Sequence, residues 1–138
     1  MTGTLVDSSA LYALADQHDK CHKAMARAVE VQPGDRVVPV TVLTEAAYMI
    51  GTYLGPAAER RLVRAIIAGE FILEAVDMPD LARAAHVLET YADAEVGLVD
   101  ASIVAVAERL RMTTLATTDH RHFRLFRPRH CRAFSLIP

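Results

Sequence analysis

The sequence contains no tryptophan, only two cysteines, and no lysine after Lys23. Cys21 and Cys131 are too few and too far apart for a disulfide framework or a zinc site, so we expect a reduced, cytoplasmic setting. No stretch approaches the ~18 consecutive apolar residues of a membrane span, and the first residues lack the basic and apolar regions of a signal peptide. The chain is therefore expected to be a cytoplasmic protein without membrane attachment.

The composition indicates a globular chain. Of the 138 residues, 52% are hydrophobic and no low-complexity run occurs, which excludes a disordered chain. This length supports one hydrophobic core and is too short for two, so a single domain over residues 1–138 is expected. The net charge of −2 neither favours nor excludes nucleic acid, and the distribution of charge along the chain is more informative.

Short apolar runs alternate with amphipathic segments along the whole chain. The runs predict strands over residues 4–6, 36–40, 71–76, 113–118 and about 131–136. The segments between them predict helices over residues 10–15, 20–31, 42–52, 56–68, 81–91 and 100–110. Ser8 or Ser9 is expected to cap the first helix and Thr41 the third. Strands that alternate with helices predict an α/β fold with a mainly parallel sheet and helices on both faces.

Four acidic residues stand at the ends of apolar segments. Asp7 and Asp119 follow predicted strands, Asp100 begins a helix, and Glu45 lies near the start of another. Each one alone is typical of a carboxylate that caps a helix or faces its positive end. Because ligands bind in open α/β sheets beyond the carboxyl ends of the strands, we expect the four carboxylates to meet at that edge.

A cluster of carboxylates has a definite chemical consequence. Ionised carboxylates at one place repel each other unless a cation offsets their charge or some remain protonated. Ligands that are all oxygen select hard cations, so Mg²⁺ or Mn²⁺ is the natural candidate. Such ions can stabilise charge on a phosphate and activate water for in-line attack, which is phosphodiester hydrolysis. No Ser–His–Asp arrangement, glycine-rich phosphate loop or cysteine nucleophile offers a competing chemistry.

A basic segment, residues 120–132, directly follows Asp119. It contains five arginines, three histidines, two phenylalanines and no acid. Arginines with interleaved aromatic residues suit phosphate contacts and base stacking. The residues predicted to contact RNA are Arg121, His122, Arg124 and Arg127. The alternative is a basic surface loop that balances the acidic cluster or binds a protein partner.

Four short motifs contain the acids, and they are Val6–Leu11, Thr44–Glu45, Val99–Ile103 and Thr117–Phe123. Together they resemble the PIN-domain ribonucleases and, most closely, the VapC toxins of bacterial toxin–antitoxin pairs. The likeness runs from end to end, with the acids in the family's order. It implies a three-layer α/β/α sandwich and an endoribonuclease that depends on Mg²⁺ or Mn²⁺. By the family pattern, the acidic quartet is Asp7, Glu45, Asp100 and Asp119.

The resemblance also implies a role for each member of the quartet. Asp7 and Asp100 would be direct metal ligands. Glu45 would bind the metal through water or orient the attacking water, and Asp119 would complete a second-metal or water network.

Further residues and partners follow from the same resemblance. Ser8 and Thr118 are expected to hydrogen-bond the acidic residues. Independently of the resemblance, the position of Asp93 predicts that it braces the loop before Asp100 or supports the site. The family implies a homodimer and a VapB-like antitoxin whose C-terminal segment covers the active site. Val99 departs from many relatives at its position and leaves the quartet intact.

Three classes of function are compatible with these residues. The first is a toxin that cleaves RNA, and the second is a PIN-fold nuclease that works in RNA processing or on DNA ends. The third is a module that binds RNA or a protein without cleaving. The intact quartet argues against the third, because a module that does not cleave has no need of four crowded acids.

Overall fold

The computed structural model describes residues 2–138, and its centre is a five-stranded sheet. The strands are β1 Gly3–Val6, β2 Asp35–Pro39, β3 Ile72–Glu74, β4 Thr114–Ala116 and β5 Ser135–Ile137. They lie in the order β3-β2-β1-β4-β5, and every neighbouring pair is parallel. The predicted parallel sheet is confirmed. The strand order reverses between β1 and β4, which is the place where sheets of this kind form a crevice for ligands.

Seven helices in residues 2–138 flank the sheet and give the predicted α/β/α sandwich. They are α1 Ser8–Ala15, α2 His22–Val31, α3 Val40–Leu54, α4 Pro56–Ile67, α5 Met78–Thr90, α6 Leu98–Leu110 and α7 His120–Phe123. A single 3-10 turn, Ala92–Ala94, precedes α6. Helix α1 packs on α2 and α3, α3 on α4, and α5 on α6. None of the helices formed by these residues is both long and apolar enough to cross a bilayer.

The core lies on both faces of the central strands. Leu5, Val6, Val37, Val38 and Leu115 are completely buried. A parallel sheet covered by helices on both sides buries every residue of its central strands. This explains why the strands are continuous apolar runs in the sequence and do not alternate with polar residues.

The cap of α1 differs from the prediction. Asp7, rather than Ser8 or Ser9, is the N-cap of α1, and its carboxylate accepts a hydrogen bond from the backbone N–H of Ser8 at 2.7 Å. A carboxylate and a hydroxyl are comparable caps, so the sequence could not rank them. The two serine hydroxyls are used for other contacts described below.

The start of α3 also differs from the prediction. The helix begins at Val40, directly after the end of β2, with Pro39 at its N-cap position. The proposed cap by Thr41 is therefore wrong, because Thr41 lies inside the first turn. Its hydroxyl instead contacts Ser102 of α6. Glu45 consequently lies in the second turn of α3.

Aromatic residues hold the basic segment against the body of the protein. Phe123 and Phe126 are fully buried, and the ring of Phe126 lies 5.0 Å from that of Tyr91, between ring centroids. The segment begins with the one-turn helix α7, which the sequence did not predict. The last strand covers Ser135–Ile137 and thus starts later than the expected 131–136. Burial of the two phenylalanines leaves the neighbouring arginines on the surface.

Candidate functional site

The four acidic residues come together at the edge formed by the carboxyl ends of β1 and β4. Asp7 follows β1 and Asp119 follows β4 by three residues, while Asp100 lies in the first turn of α6 and Glu45 on α3. The charges of Asp7, Asp119 and Glu45 all act on Asp100. The arrangement predicted from the sequence is therefore present in the fold.

Asp7 is the most buried member of the cluster, with 4% of its surface exposed. Its Oδ2 accepts hydrogen bonds from the hydroxyls of Thr117, at 2.9 Å, and Ser9, at 3.0 Å. Register explains the contact with Thr117: Val6 of β1 pairs with Ala116 of β4, so the next residue of each strand lies side by side. Burial raises the pKa of Asp7, and the hydrogen bonds from Thr117 and Ser9 oppose that rise.

The backbone after β4 fixes the direction of both hydroxyls. The N–H of Asp119 donates to Thr117 Oγ1 at 2.9 Å, and the N–H of Thr118 donates to Ser9 Oγ at 3.0 Å. Each hydroxyl has one proton to give, and since both accept from the backbone, both protons are available to Asp7 Oδ2. Asp7 and the backbone of Asp119 are thus held by one hydrogen-bonded unit.

Ser8 joins Asp7 to Glu45. Its backbone N–H donates to Asp7 Oδ1, while its hydroxyl donates to Glu45 Oε1. The same hydroxyl lies 3.3 Å from Asp7 Oδ1, which is a long contact for an O–H donor. Because the single hydroxyl proton goes to Glu45, Asp7 Oδ1 keeps a free lone pair for another partner.

Asp100 shows the electrostatic cost of the cluster. Burial, together with the negative charges of Asp7 and Asp119, raises the pKa of Asp100 from 3.8 to about 6. His122 opposes this shift to a smaller extent. A carboxylate that is hard to ionise beside other carboxylates is a position where a cation is favoured.

Asp119 caps α7 and pairs with His122. Its Oδ1 accepts the backbone N–H of His122 at 3.2 Å, and its Oδ2 accepts from the ring Nδ1–H at 2.8 Å. This hydrogen bond raises the pKa of the His122 imidazole. Both side chains are a little over a third exposed, so the pair forms the open side of the site.

The expected supporting residues Thr118 and Asp93 have different outcomes, and the role of Asp93 in the loop before Asp100 stays a prediction. The Thr118 side chain is exposed, and the residue contributes its backbone N–H, whereas Thr117 provides the hydroxyl that binds Asp7. Asp93 lies exposed in the 3-10 turn, and no hydrogen bond within residues 2–138 joins it to the four acids. Ser8 contacts the carboxylates as expected.

Thr117 and Ser9 are the residues that sequence reasoning missed. Both stand next to residues that were singled out, but their role depends on the register of β1 against β4. That register is a contact between residues 110 positions apart in the chain. The sequence signal for this contact is a polar residue directly after one central strand together with an acidic residue directly after the neighbouring strand.

The arginines that the sequence predicts to contact RNA differ in how free their side chains are. Arg121 and Arg124 are exposed. Arg127 is exposed too, but its guanidinium donates to the backbone carbonyls of Arg124 and Phe126 at 2.7 and 3.0 Å. Part of the hydrogen-bonding capacity of Arg127 therefore serves the fold of the segment.

The donor set fits a hard divalent cation. In the part of the chain described, no group of three or more Asp, Glu, His or Cys side chains is placed to hold a metal ion by itself. Mg²⁺ does not need one, because it keeps several waters and commonly takes one or two carboxylates from the protein. Asp7 Oδ1 with its free lone pair and the crowded carboxylate of Asp100 match that requirement, and their donors are all oxygen.

Comparison with known proteins identifies the family of this chain. Residues 4–127 match the model of the PIN domain family. The chain is 31% identical over 134 residues to ribonuclease VapC26 of Mycobacterium tuberculosis, a match that covers 97% of this chain and 99% of that protein.

Solved structures share the fold. The crystal structure of Mycobacterium tuberculosis VapC20, a toxin that cleaves the sarcin–ricin loop, superposes with a TM-score of 0.77 at 20% identity, over 82% of this chain and 87% of that one. The DNA-bound VapBC structure from Salmonella typhimurium gives a TM-score of 0.72 at 17% identity, over 99% and 98% of the two chains.

Proposed function

This chain belongs to the PIN domain family, and on that premise we propose that it is a toxin endoribonuclease of the VapC type that uses a divalent metal ion. The observation that carries the proposal is the cluster of four carboxylates, in which burial and neighbouring negative charge raise the pKa of Asp100 to about 6. A site that holds negative charge at such a cost favours a bound cation. The relative VapC26 is a ribonuclease and matches this chain over nearly its whole length.

The four acids have different roles in this proposal. Asp7 and Asp100 hold the metal ion, because Asp7 offers a free lone pair and Asp100 carries the charge that most needs an opposite partner. Glu45 and Asp119 are more open to solvent, and we assign them to water. One of them orients the attacking water and accepts its proton as the water oxygen attacks phosphorus; the ester P–O bond breaks, and the departing ribose oxygen takes a proton from solvent water.

The metal ion would supply positive charge for the phosphate oxygens and lower the pKa of nearby water; Mg²⁺ is the first candidate and Mn²⁺ the second. The protein would contribute a fixed frame. Thr117 and Ser9 hold Asp7, Ser8 holds Glu45, and His122 holds Asp119. Because these hydrogen bonds exist before substrate binds, little reorganisation is needed during the reaction.

The proposed partners are RNA, an antitoxin and a second copy of this chain. A VapBC complex with a similar fold supports a VapB-like antitoxin as the partner that controls the activity. We also propose that the toxin acts as a homodimer in the cytoplasm, where its RNA substrate is found.

Cleavage of total cellular RNA by the purified protein tests the function. We expect discrete products in Mg²⁺ or Mn²⁺, none in EDTA, and none from Asp7→Ala with either metal. Expression of the wild type, and not of Asp7→Ala, should arrest growth, and coexpression of the protein encoded next to it should restore growth. Metal-dependent cleavage without growth arrest would favour an RNA-processing nuclease, and absence of cleavage in a folded protein would contradict the proposal.

The affinity for the metal ion should fall steeply in mild acid. The pKa of Asp100 is raised to about 6, so below that pH the metal must displace a proton from the carboxyl group. We expect the apparent affinity for Mn²⁺ to decrease about tenfold for each pH unit below about 6 and to level off above about 7. Titration calorimetry from pH 5 to pH 8 measures this, and an affinity independent of pH would contradict the assigned role of Asp100.

Replacing Thr117 by valine should impair the site without changing its shape. Valine has the size of threonine but neither donates to Asp7 nor accepts from the N–H of Asp119. We expect Mn²⁺ affinity and the cleavage rate to fall by about 10- to 100-fold. The matched control is Thr118→Val, which alters the exposed neighbour and should behave as the wild type. Equal losses in both variants would show that the hydroxyl of Thr117 has no special role.

The arginines beside Asp119 should contribute to RNA binding. For Arg121→Ala/Arg124→Ala we expect a higher KM for RNA with kcat unchanged, because these side chains lie outside the carboxylate cluster. The slope of log affinity against log salt should decrease by about 0.7 for each phosphate that the variant no longer neutralises. Arg60→Ala/Arg64→Ala on α4 is the matched control, and an unchanged salt slope in the first variant would rule out phosphate binding there.

A further inference from the structure

Two hydroxyl groups join the helices that carry Glu45 and Asp100. Thr41 lies in the first turn of α3, and Ser102 lies at the start of the second turn of α6. Thr41 Oγ1 and Ser102 Oγ are 2.6 Å apart, which is at the short end of the range for O–H···O hydrogen bonds. Ser102 is completely buried, so water does not compete for its hydroxyl.

The direction of this hydrogen bond follows from the other contact of Ser102. The hydroxyl of Ser102 also lies 2.6 Å from the backbone carbonyl of Val99, to which it donates. A serine hydroxyl has one proton, and since that proton goes to Val99, Thr41 must be the donor to Ser102. The result is a chain of two hydrogen bonds from Thr41 through Ser102 to the carbonyl of Val99, the residue before Asp100.

The position of this chain relates it to the carboxylates. Thr41 and Glu45 are four residues apart on α3 and therefore lie on the same face of the helix. Ser102 follows Asp100 by two residues on α6. The packing of α3 is mainly on α1 and α4, and that of α6 is mainly on α5, while direct contact between α3 and α6 is limited. The hydroxyl pair thus ties two helices that are otherwise held by different neighbours.

We propose that Thr41 and Ser102 are positioning residues that set the distance between Glu45 and Asp100. This inference rests on the proposed function, because the distance matters only if the two carboxylates act on one metal and water site. Two apolar side chains of the same shape could pack these helices with equal stability, so stability alone does not require a buried hydroxyl pair. What the hydroxyl pair adds is a hydrogen bond of fixed length and direction between the two helices.

The test compares four variants with the wild type. Thr41→Val removes the donor at nearly constant volume, and Thr41→Ser keeps it. Thr41→Val/Ser102→Ala removes both hydroxyls of the pair, and the Val99 carbonyl, which loses the Ser102 hydroxyl, keeps the backbone N–H of Ile103 one turn along α6 as its helical partner. Thr90→Val is the matched control, because the hydroxyl of Thr90 bonds only within α5, to the carbonyl of His86. For each protein we would measure the Mn²⁺ dissociation constant, kcat and KM for RNA, and the thermal midpoint in EDTA.

We expect Thr41→Val to weaken Mn²⁺ binding by about tenfold and to lower kcat by at least the same factor, with KM within twofold of the wild type. Thr41→Ser should restore both quantities to within about threefold. The double variant should regain the thermal stability of the wild type but keep the loss of Mn²⁺ affinity. This combination separates positioning from stability, because a purely structural pair would recover both properties together.

Wild-type Mn²⁺ affinity and kcat in Thr41→Val would overturn the inference, as would an equal loss in Thr41→Ser or Thr90→Val. Failure of the proposed function gives a different result, in which the wild type itself neither binds Mn²⁺ nor cleaves RNA. In that case the hydroxyl tie is still tested by amide hydrogen exchange. Exchange that is unchanged at residues 40–45 and 98–104 in Thr41→Val would show that the pair does not fix the two helices.

Discussion

Replacing Asp100 by asparagine is expected to abolish RNA cleavage and, at the same time, to stabilise the metal-free protein. Asparagine has the size of aspartate but cannot supply the negative charge that holds a cation. Loss of several kcal/mol of transition-state stabilisation corresponds to at least about 10³-fold in rate. Cleavage of RNA in Mg²⁺, compared between the wild type and the variant, measures this loss.

The gain in stability follows from the same electrostatics. Because the folded state raises the pKa of Asp100 from 3.8 to about 6, the folded state binds the proton more tightly than the unfolded chain. The free energy of unfolding therefore falls as the pH rises from about 3.8 to about 6 and stays lower above it. The shift corresponds to about 3 kcal/mol for a fully buried group, and since Asp100 is only half-buried, we expect a gain of about 1–2 kcal/mol at pH 7.5.

Urea unfolding in EDTA at several pH values checks the sign. The difference in the free energy of unfolding between Asp100→Asn and the wild type should be largest above pH 7. It should vanish below about pH 3.8, where Asp100 is protonated in both the folded and the unfolded chain. Glu30→Gln, which neutralises an exposed acid of α2, is the control and should change little. A variant that is less stable than the wild type at pH 7.5 would show that burial and repulsion of the Asp100 charge do not destabilise the folded protein.

The second large effect is expected far from the acids, where Arg109 holds the buried Asp80. The guanidinium donates to both oxygens of Asp80, at 2.9 and 3.0 Å, and to Glu74 at 2.9 Å. Asp80 is 3% exposed. Burial tends to raise the pKa of Asp80, but the hydrogen bonds and positive charge of Arg109, together with hydrogen bonds from Asp77, outweigh burial and lower the pKa.

Arg109→Met should lower the free energy of unfolding by about 2–4 kcal/mol at pH 7, because Asp80 is left buried without its partner. The lowered pKa means that the pair stabilises the folded state above about pH 4 and that this contribution disappears as the pH falls further. The difference in the free energy of unfolding between Arg109→Met and the wild type should therefore become smaller below about pH 4. Adding Asp80→Asn should recover much of the loss, since the unpaired charge is then removed.

Denaturant unfolding of the single and double variants measures these differences, with Arg60→Met on the exposed side of α4 as the control. RNA cleavage by folded Arg109→Met should be unchanged, because Arg109 lies at the opposite end of α6 from Asp100. A loss below about 0.5 kcal/mol would place this ion pair among the ordinary surface pairs, which contribute little.

The order of elements and the acidic cluster could be read from the sequence because both depend on local patterns. Buried parallel strands are continuous apolar runs, as in Thr4–Val6, and amphipathic segments between them are helices. Asp7 follows one such strand directly, and Asp119 follows another by three residues. In a parallel sheet the ends of the strands meet at one edge, so their meeting place followed from the fold class alone.

The contacts that hold the acids depended on the tertiary structure. The register of β1 against β4 places Thr117, and not Thr118, against Asp7. The packing of α3 beside α6 turns Thr41 from an expected helix cap into a partner of Ser102. In both cases local chemistry allows several equivalent hydroxyls.

The sequence by itself determined the α/β order of elements and the carboxylates that gather at one edge of the sheet, since each is specified by neighbouring residues. Only the tertiary structure decided which hydroxyls fix those carboxylates and how far the pKa of Asp100 rises. Hydrogen-bond geometry and burial are set by residues distant in the chain. A difference of one position along a strand moves a side chain to the opposite face of the sheet.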